Sequence, residues 1–468
     1  MVFSSYSFLF LFLPLLSIVY YCVPAHCRKA RNGVLLLFSL VFYGWGSLKY
    51  LLILFASIFI NWISGLLLTA AEGEKTKKLI LAAAILANCF LLGYFKYTDF
   101  VIVNVNTLLH LQIPLRHIVL PIGISFFTFQ GMSYVIDVYR KNHICLRHPF
   151  LVALYIALFP QLVAGPIVRF ESISGQLYER EETLKKALDG AGRFIIGLVK
   201  KIVLADTFGI VANEAFSSIQ LSIGLAWLGA IAYTLQIYYD FSGYSDMAIG
   251  LGKLFGFDFC ENFNYPYISA SVKEFWRRWH ISLSSWFRDY VYIPLGGSRC
   301  SKPRSFLNLF IVWFLTGLWH GASWTFVLWG MYYLFWLTAE KNCQRMIRSK
   351  YFPAHLFTIL IVIFGWVLFR AENLSAAWDY IGTMLGLGDS VFDYNEFMRV
   401  LLNYKYFWIL GILAATPLCK RVYNSMSLKY VESRGFVAVK YCVLLILFLL
   451  SLVYIIASSY NAFIYFQF

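Results

Sequence analysis

From Ser305 to Ala339 the chain carries no Asp, Glu, Lys or Arg, and Glu340 ends the run. Drawn as one straight helix, that stretch measures ~54 Å, against ~30 Å for the hydrocarbon core of a bilayer. Its flanks are basic on both sides: Arg299, Lys302 and Arg304 before it, Lys341 and Arg345 after it. Basic flanks mark cytoplasmic ends, so both ends are expected on the same face. The sequence therefore predicts a hairpin or broken helix turning near Gly317-Leu-Trp-His-Gly321, with the glycines supplying backbone freedom. Each arm then has about fifteen to eighteen residues, which puts the turn deep in the membrane. His320 lies at that turn.

Composition extends this reading to the whole chain. Hydrophobic residues make up 60% and charged ones 13%, far from the balance of a water-soluble domain. A chain solvated by lipid must satisfy its backbone internally, as helices or a closed barrel. Continuous apolar runs without strand-type alternation select helices. Such runs occupy about 7–23, 33–46, 51–70, 79–96, 118–136, 150–165, 193–212, 219–239, 305–319, 322–339, 355–369, 406–418 and 439–457. Several fall short of the ~20 residues of a full span, so about eleven spans are expected, with re-entrant and interfacial helices beside them. The first 23 residues lack a basic leader and read as a first membrane helix. No internal repeat or linker divides the chain, so residues 1–468 read as one membrane domain.

The net charge of +15 sits in short loops. Arg28, Lys29 and Arg31, then Lys75, Lys77 and Lys78, then Arg140, Lys141 and Arg147 mark cytoplasmic loops and place the N-terminus outside. Lys341, Arg345 and Arg348, and later Lys420, Arg421, Lys429 and Arg434, mark two more. This pattern speaks for a bilayer partner and against nucleic acid. The acidic stretch 371–398 fits an external loop. The nine cysteines are scattered without a CxxC pair, so neither a disulfide framework nor a metal site is indicated.

Three elements carry candidate chemistry. An ionisable residue deep in a membrane is a functional hypothesis by default. A neutral, buried His320 suits a general base that takes a proton from a hydroxyl attacking a thioester. The alternative is a histidine bonded to a helix carbonyl that serves packing alone. In Phe275–Tyr290, residues Trp276, Trp279, Leu283, Trp286 and Tyr290 recur at steps of three and four, giving one apolar helical face. Arg277, Ser284 and Arg288 share another face. This is either an interfacial amphipathic helix or a lid whose arginines bind the phosphates of an acyl carrier. His280 orients a substrate or holds structure. Asp240 and Asp246 close the apolar helix before them, lining a channel or pairing with arginines. Dinucleotide, P-loop and nucleophile-elbow motifs are missing from the chain. His143 and His148 sit among basic loop residues without a ligand cluster.

The motifs Leu318-WHGASWTFVLW-Gly330 and Phe275-WRRWHISLSSWFRDYVYIPLGGS-Arg299 resemble the membrane-bound O-acyltransferase family. The run Tyr292–Arg299 favours its alginate O-acetylation branch over the D-alanyl branch, and Pro121–Arg140 and Phe159–Phe170 agree. The resemblance covers roughly 118–340, with 1–117 and 341–468 as peripheral helices. It implies an all-α ring of membrane helices around a central tunnel. It implies catalytic roles for His320 and, second, His280. Beside these, Arg277, Arg278, Arg288, Asp289, Trp279, Trp319, Asp240 and Ser242 are taken as candidate donor or tunnel contacts. The implied reaction moves an acetyl group from cytoplasmic acetyl-CoA, a substrate rather than a bound cofactor, to an extracytoplasmic polysaccharide. The setting is the bacterial inner membrane, and a periplasmic or extracytoplasmic acetyltransferase is the expected partner. The rivals are acyl transfer from a carrier-bound D-alanine thioester and, as another class, a solute or lipid transporter. A transporter would show paired charges within spans or inverted repeats.

Overall fold

The computed structural model describes residues 1–141, 145–342, 352–430, 433–457 and Ile464. His143, Arg345 and Arg348 lie outside these. Among the described residues every regular element is a helix. The chain forms two compact units, Met1–Phe194 with Met247–Cys260, and Ile195–Asp246 with Glu261–Phe468.

In the first unit, Leu48–Ala70, Glu74–Leu109 and Ile124–Lys141 pack on one another. Between apolar helices in lipid, the hydrophobic effect gives little preference for association, so polar contacts and close packing decide it. Asn61 and Asn88 supply such a contact. Each amide donates to the other's oxygen, at 3.1 and 3.0 Å, and to its own helix carbonyl four residues back, at 2.8 and 2.9 Å. Glu74–Leu109 runs well past the 79–96 expected from apolarity. Elsewhere in this unit, Arg28 and Arg31 both ion-pair with Glu182, whose side chain is 4% exposed. Tyr20 donates to the same carboxylate, and Arg180 Nε lies 3.3 Å from it. Arginines that read from sequence as topology markers are therefore also structural ligands of a buried glutamate.

In the second unit, Lys302–His320 and Trp324–Asn342 form the expected hairpin, and the first helix ends at His320 itself. The glycines act differently from the expectation. Gly321 has φ −171°, open to any residue, so backbone freedom is not its role. A Cβ there would lie 2.2 Å from the Phe326 ring. At Gly317 a Cβ would lie 2.5 Å from the Phe326 carbonyl oxygen, and at Gly330, 2.4 Å from that of Trp313. Glycine is needed because the two arms touch backbone to backbone, which is the small-residue packing of membrane helices.

Three further expectations are corrected in this unit. The helix Ile223–Leu254 does not close at Asp240 or Asp246 but continues beyond both. Buried side-chain partners on its flank remove any reason to stop there. The single amphipathic helix expected over 275–290 is two short helices, Val272–Arg278 and Ile281–Phe287. They break at His280, whose φ of 44° lies in the left-handed region. The stretch 371–398 is not all loop. Leu374–Met384 is helical, capped by the Asn373 carboxamide oxygen, which accepts from Ala376 N at 2.9 Å. Its residues Ala377, Tyr380 and Met384 are buried at helical spacing, which outweighs the acidic composition.

Among the described residues, Leu48–Ala70, Glu74–Leu109, Pro353–Arg370 and Arg434–Ala457 are long and apolar enough to cross a membrane. The pair Tyr394–Asn403 and Lys405–Ala414, bent by 66°, would add a fifth. Only 6% of the most apolar window in Arg434–Ala457 is buried inside the protein, leaving nearly all of it to face lipid. Helices such as Ile223–Leu254, buried along most of their length, need less hydropathy because protein surrounds them. The chain is a multi-pass membrane protein.

Candidate active site

The helix Lys302–His320 delivers His320 at its last residue, where the chain turns. Its side chain meets protein, not lipid: the residue is 5% exposed. The imidazole lies edge-on to the rings of Trp329, at 4.9 Å between centroids, and Phe369, at 5.2 Å. Trp329 is fully buried and packs in turn on Trp276, Tyr333 and Trp366. Such a wall of aromatic rings keeps water from the imidazole and strengthens electrostatic contacts made there.

His280 reaches the same place from the break between Val272–Arg278 and Ile281–Phe287. The Trp319 ring centroid is 5.8 Å from that of His280 and 5.0 Å from that of His320. The two histidines, forty positions apart in sequence, therefore share one tryptophan. Phe241 covers His280 from another side at 4.6 Å, edge-on. Nδ1 of His280 lies 3.0 Å from Asn262 Oδ1, while Nε2 is buried without a hydrogen-bond partner among the described residues. Burial to 1% exposure favours the neutral imidazole over its charged form. His280 is thus neutral across the physiological range, as a proton acceptor must be.

The other candidates divide. Trp319 belongs to the site. Trp279 lies behind it, packed on Trp366 at 4.8 Å and Phe263 at 5.1 Å. Ser242 is buried, with its hydroxyl unpartnered among the described residues. Asp240 is held in a structural cluster: Lys201 Nζ lies 2.7 Å from both Asp240 and Asp206, and Ile464 N donates to Asp240 at 2.8 Å. Asp246 pairs with Lys200 at 2.6 Å. The partners are lysines, where the sequence suggested arginines. The arginines are not gathered at the histidines. Arg277 is exposed, and Arg278 bonds Glu274 and the Asn264 carbonyl. Arg288 forks onto its neighbour Asp289 at 2.7 and 2.9 Å.

Sequence reasoning missed Asn262, Ser245 and Ser282, which hold His280, and Lys201. Nothing in Glu261-Asn-Phe-Asn264 distinguishes the asparagine that matters. Lys200 and Lys201, inside the apolar run 193–212, did carry a signal, because a lysine there demands an acid partner.

The family model for the membrane-bound O-acyltransferases matches residues 143–375, which include both histidines. A probable alginate O-acetylase of Azotobacter vinelandii is 41% identical over 100% of both chains. A probable alginate O-acetylase of Pseudomonas aeruginosa is 44% identical, covering 83% of this chain and 76% of its own. A peptidoglycan O-acetyltransferase of Helicobacter pylori is 35% identical, covering 83% of this chain and 80% of its own. At that identity over the full length of both chains, this protein belongs to the membrane-bound O-acyltransferase family.

Proposed function

We propose that the protein is a membrane O-acetyltransferase that passes an acetyl group from cytoplasmic acetyl-CoA toward an extracytoplasmic polysaccharide. The observation that carries this reading is the contact that His280 and His320 both make with Trp319, among buried aromatic rings. The relatives named for O-acetylation of alginate and peptidoglycan support the acyl group and the class of acceptor. In the proposed reaction an acceptor hydroxyl attacks the thioester carbonyl. The C–O bond forms, the hydroxyl proton passes to His320, the C–S bond breaks, and the departing thiolate takes that proton. His280, which shares the Trp319 contact, assists. The whole chain acts as one membrane domain with its core near 118–340. About eleven helices ring a tunnel that joins donor and acceptor faces. The protein sits in a bacterial inner membrane with its N-terminus outside, and an extracytoplasmic acetyltransferase completes delivery.

The test uses inside-out membrane vesicles that enclose polysaccharide together with the extracytoplasmic fraction that completes delivery. They receive acetyl-CoA labelled in the acetyl group, or a carrier protein bearing labelled D-alanine. Base-labile label on the enclosed polysaccharide from acetyl-CoA alone is the expected result. Label from the D-alanyl carrier alone would overturn the acetyl assignment.

A further inference from the structure

We infer that Asn262 is the positioning residue that fixes the tautomer of His280, keeping the proton on Nδ1 and leaving Nε2 as a bare acceptor at the reacting centre. The inference rests on the acyl-transfer reading for what Nε2 does, but not for the tautomer itself.

The orientation of the Asn262 amide follows from a donor that cannot reverse. The backbone N–H of Ser282 points at one terminal atom of the side chain, at 3.3 Å. A backbone N–H only donates, so that atom is the oxygen. The amide nitrogen is then the atom that donates to Ser245 Oγ, at 3.0 Å. With Oδ1 placed, Nδ1 of His280 faces it at 3.0 Å. An unprotonated Nδ1 would set two lone pairs against each other at that distance, in a site where both residues are 1% exposed. Nδ1 therefore carries the hydrogen and donates. The Ser282 hydroxyl lies 2.9 Å from Oδ1 and 3.4 Å from Nδ1, so its hydrogen also goes to the amide oxygen and does not compete for the imidazole. A neutral imidazole has one N–H, so Nε2 presents its lone pair.

The backbone holds this arrangement. Ile281 N donates to the Asn262 carbonyl at 2.9 Å, and Asn264 N to that of Arg278 at 2.9 Å, so the two segments are tied on both sides of the asparagine. His280 sits at φ 44°, a conformation a non-glycine residue keeps only where its surroundings impose it. Together these constraints leave the ring little freedom to turn Nε2 away. As the reaction proceeds, Nε2 accepts a hydrogen bond from a neighbouring hydroxyl of the acceptor and so orients it, while His320 takes the proton of the attacking one. The opposite tautomer would present an N–H there and oppose the step.

The test reads the tautomer and the kinetics separately, on full-length protein in nanodiscs. Nitrogen-15 resonances of labelled histidine are assigned to His280 by comparison with His280→Asn. They are expected to show a protonated Nδ1 and an unprotonated Nε2. Asn262→Leu should lose that signature and lower kcat by about 10- to 100-fold, with KM for acetyl-CoA little changed. Asn262→Asp should restore the signature and most of kcat. Its carboxylate stabilises the imidazolium, so activity should be lost at a higher pH as the solution is acidified. A wild-type protein with Nδ1 bare overturns the inference. So does an Asn262→Leu variant that is inactive yet keeps the wild-type tautomer. The resonances need neither donor nor acceptor, so they stand even if acetyl-CoA proves to be the wrong substrate. A wild-type protein that transfers no acetyl group defeats that reading alone.

Discussion

His320→Ala is expected to lower the rate of acetyl transfer by about 10²- to 10⁴-fold while the protein still folds, because it removes the group proposed to take the proton in the bond-making step. The expectation depends on the imidazole being at the reacting centre rather than acting as packing. The ring touches Trp329 and Phe369, so alanine also leaves a void and costs some stability. His320→Gln separates the two effects. It keeps volume and hydrogen-bonding capacity but offers no comparable base. Both variants should be equally inactive in initial rates normalised to monodisperse protein, and the glutamine variant should melt closer to wild type. A histidine that served only packing would give the reverse: glutamine active, alanine impaired in proportion to its loss of folded protein.

Lys201→Met is expected to cost about 3–5 kcal/mol of stability. Lys201, Asp206 and Asp240 are 3%, 7% and 2% exposed at their side chains, and one ammonium serves both carboxylates. Removing it leaves two buried acids facing each other, with the Ile464 N–H still bonded to Asp240. The melting temperature in detergent should fall sharply. The triple change Lys201→Met, Asp206→Asn, Asp240→Asn should recover much of the loss, since it deletes the charges together. If Asp240 instead lined a tunnel, the triple variant would fold well and remain as inactive as any single change at Asp240.

Much of this was legible because membranes constrain sequences strongly. An uncharged stretch too long for one span, with basic residues at both ends, has few solutions, and the hairpin turning at His320 is one of them. What escaped has physical causes. The 3.6-residue periodicity of Trp276, Trp279, Leu283 and Trp286 survives across a break, because the left-handed residue at His280 re-aims the chain without disturbing which residues are apolar. Counting spans by hydropathy also misleads in both directions, since protein-surrounded helices need not be as apolar as Arg434–Ala457, which faces lipid. Arginines near a supposed donor site proved to bind neighbouring carboxylates, which sequence spacing alone does not reveal. The resemblance supplied His280, but only coordinates could supply Asn262, whose importance lies in a partner eighteen residues away.

The most direct measurement is a structure of the protein bound to a thioether analogue of acetyl-CoA, which cannot release its acyl group. The analogue's carbonyl is expected beside Trp319, leaving room for a hydroxyl within about 3 Å of a His320 nitrogen. A carbonyl seated elsewhere in the protein, with Trp319 and both imidazoles packed as they are without it, would contradict the account.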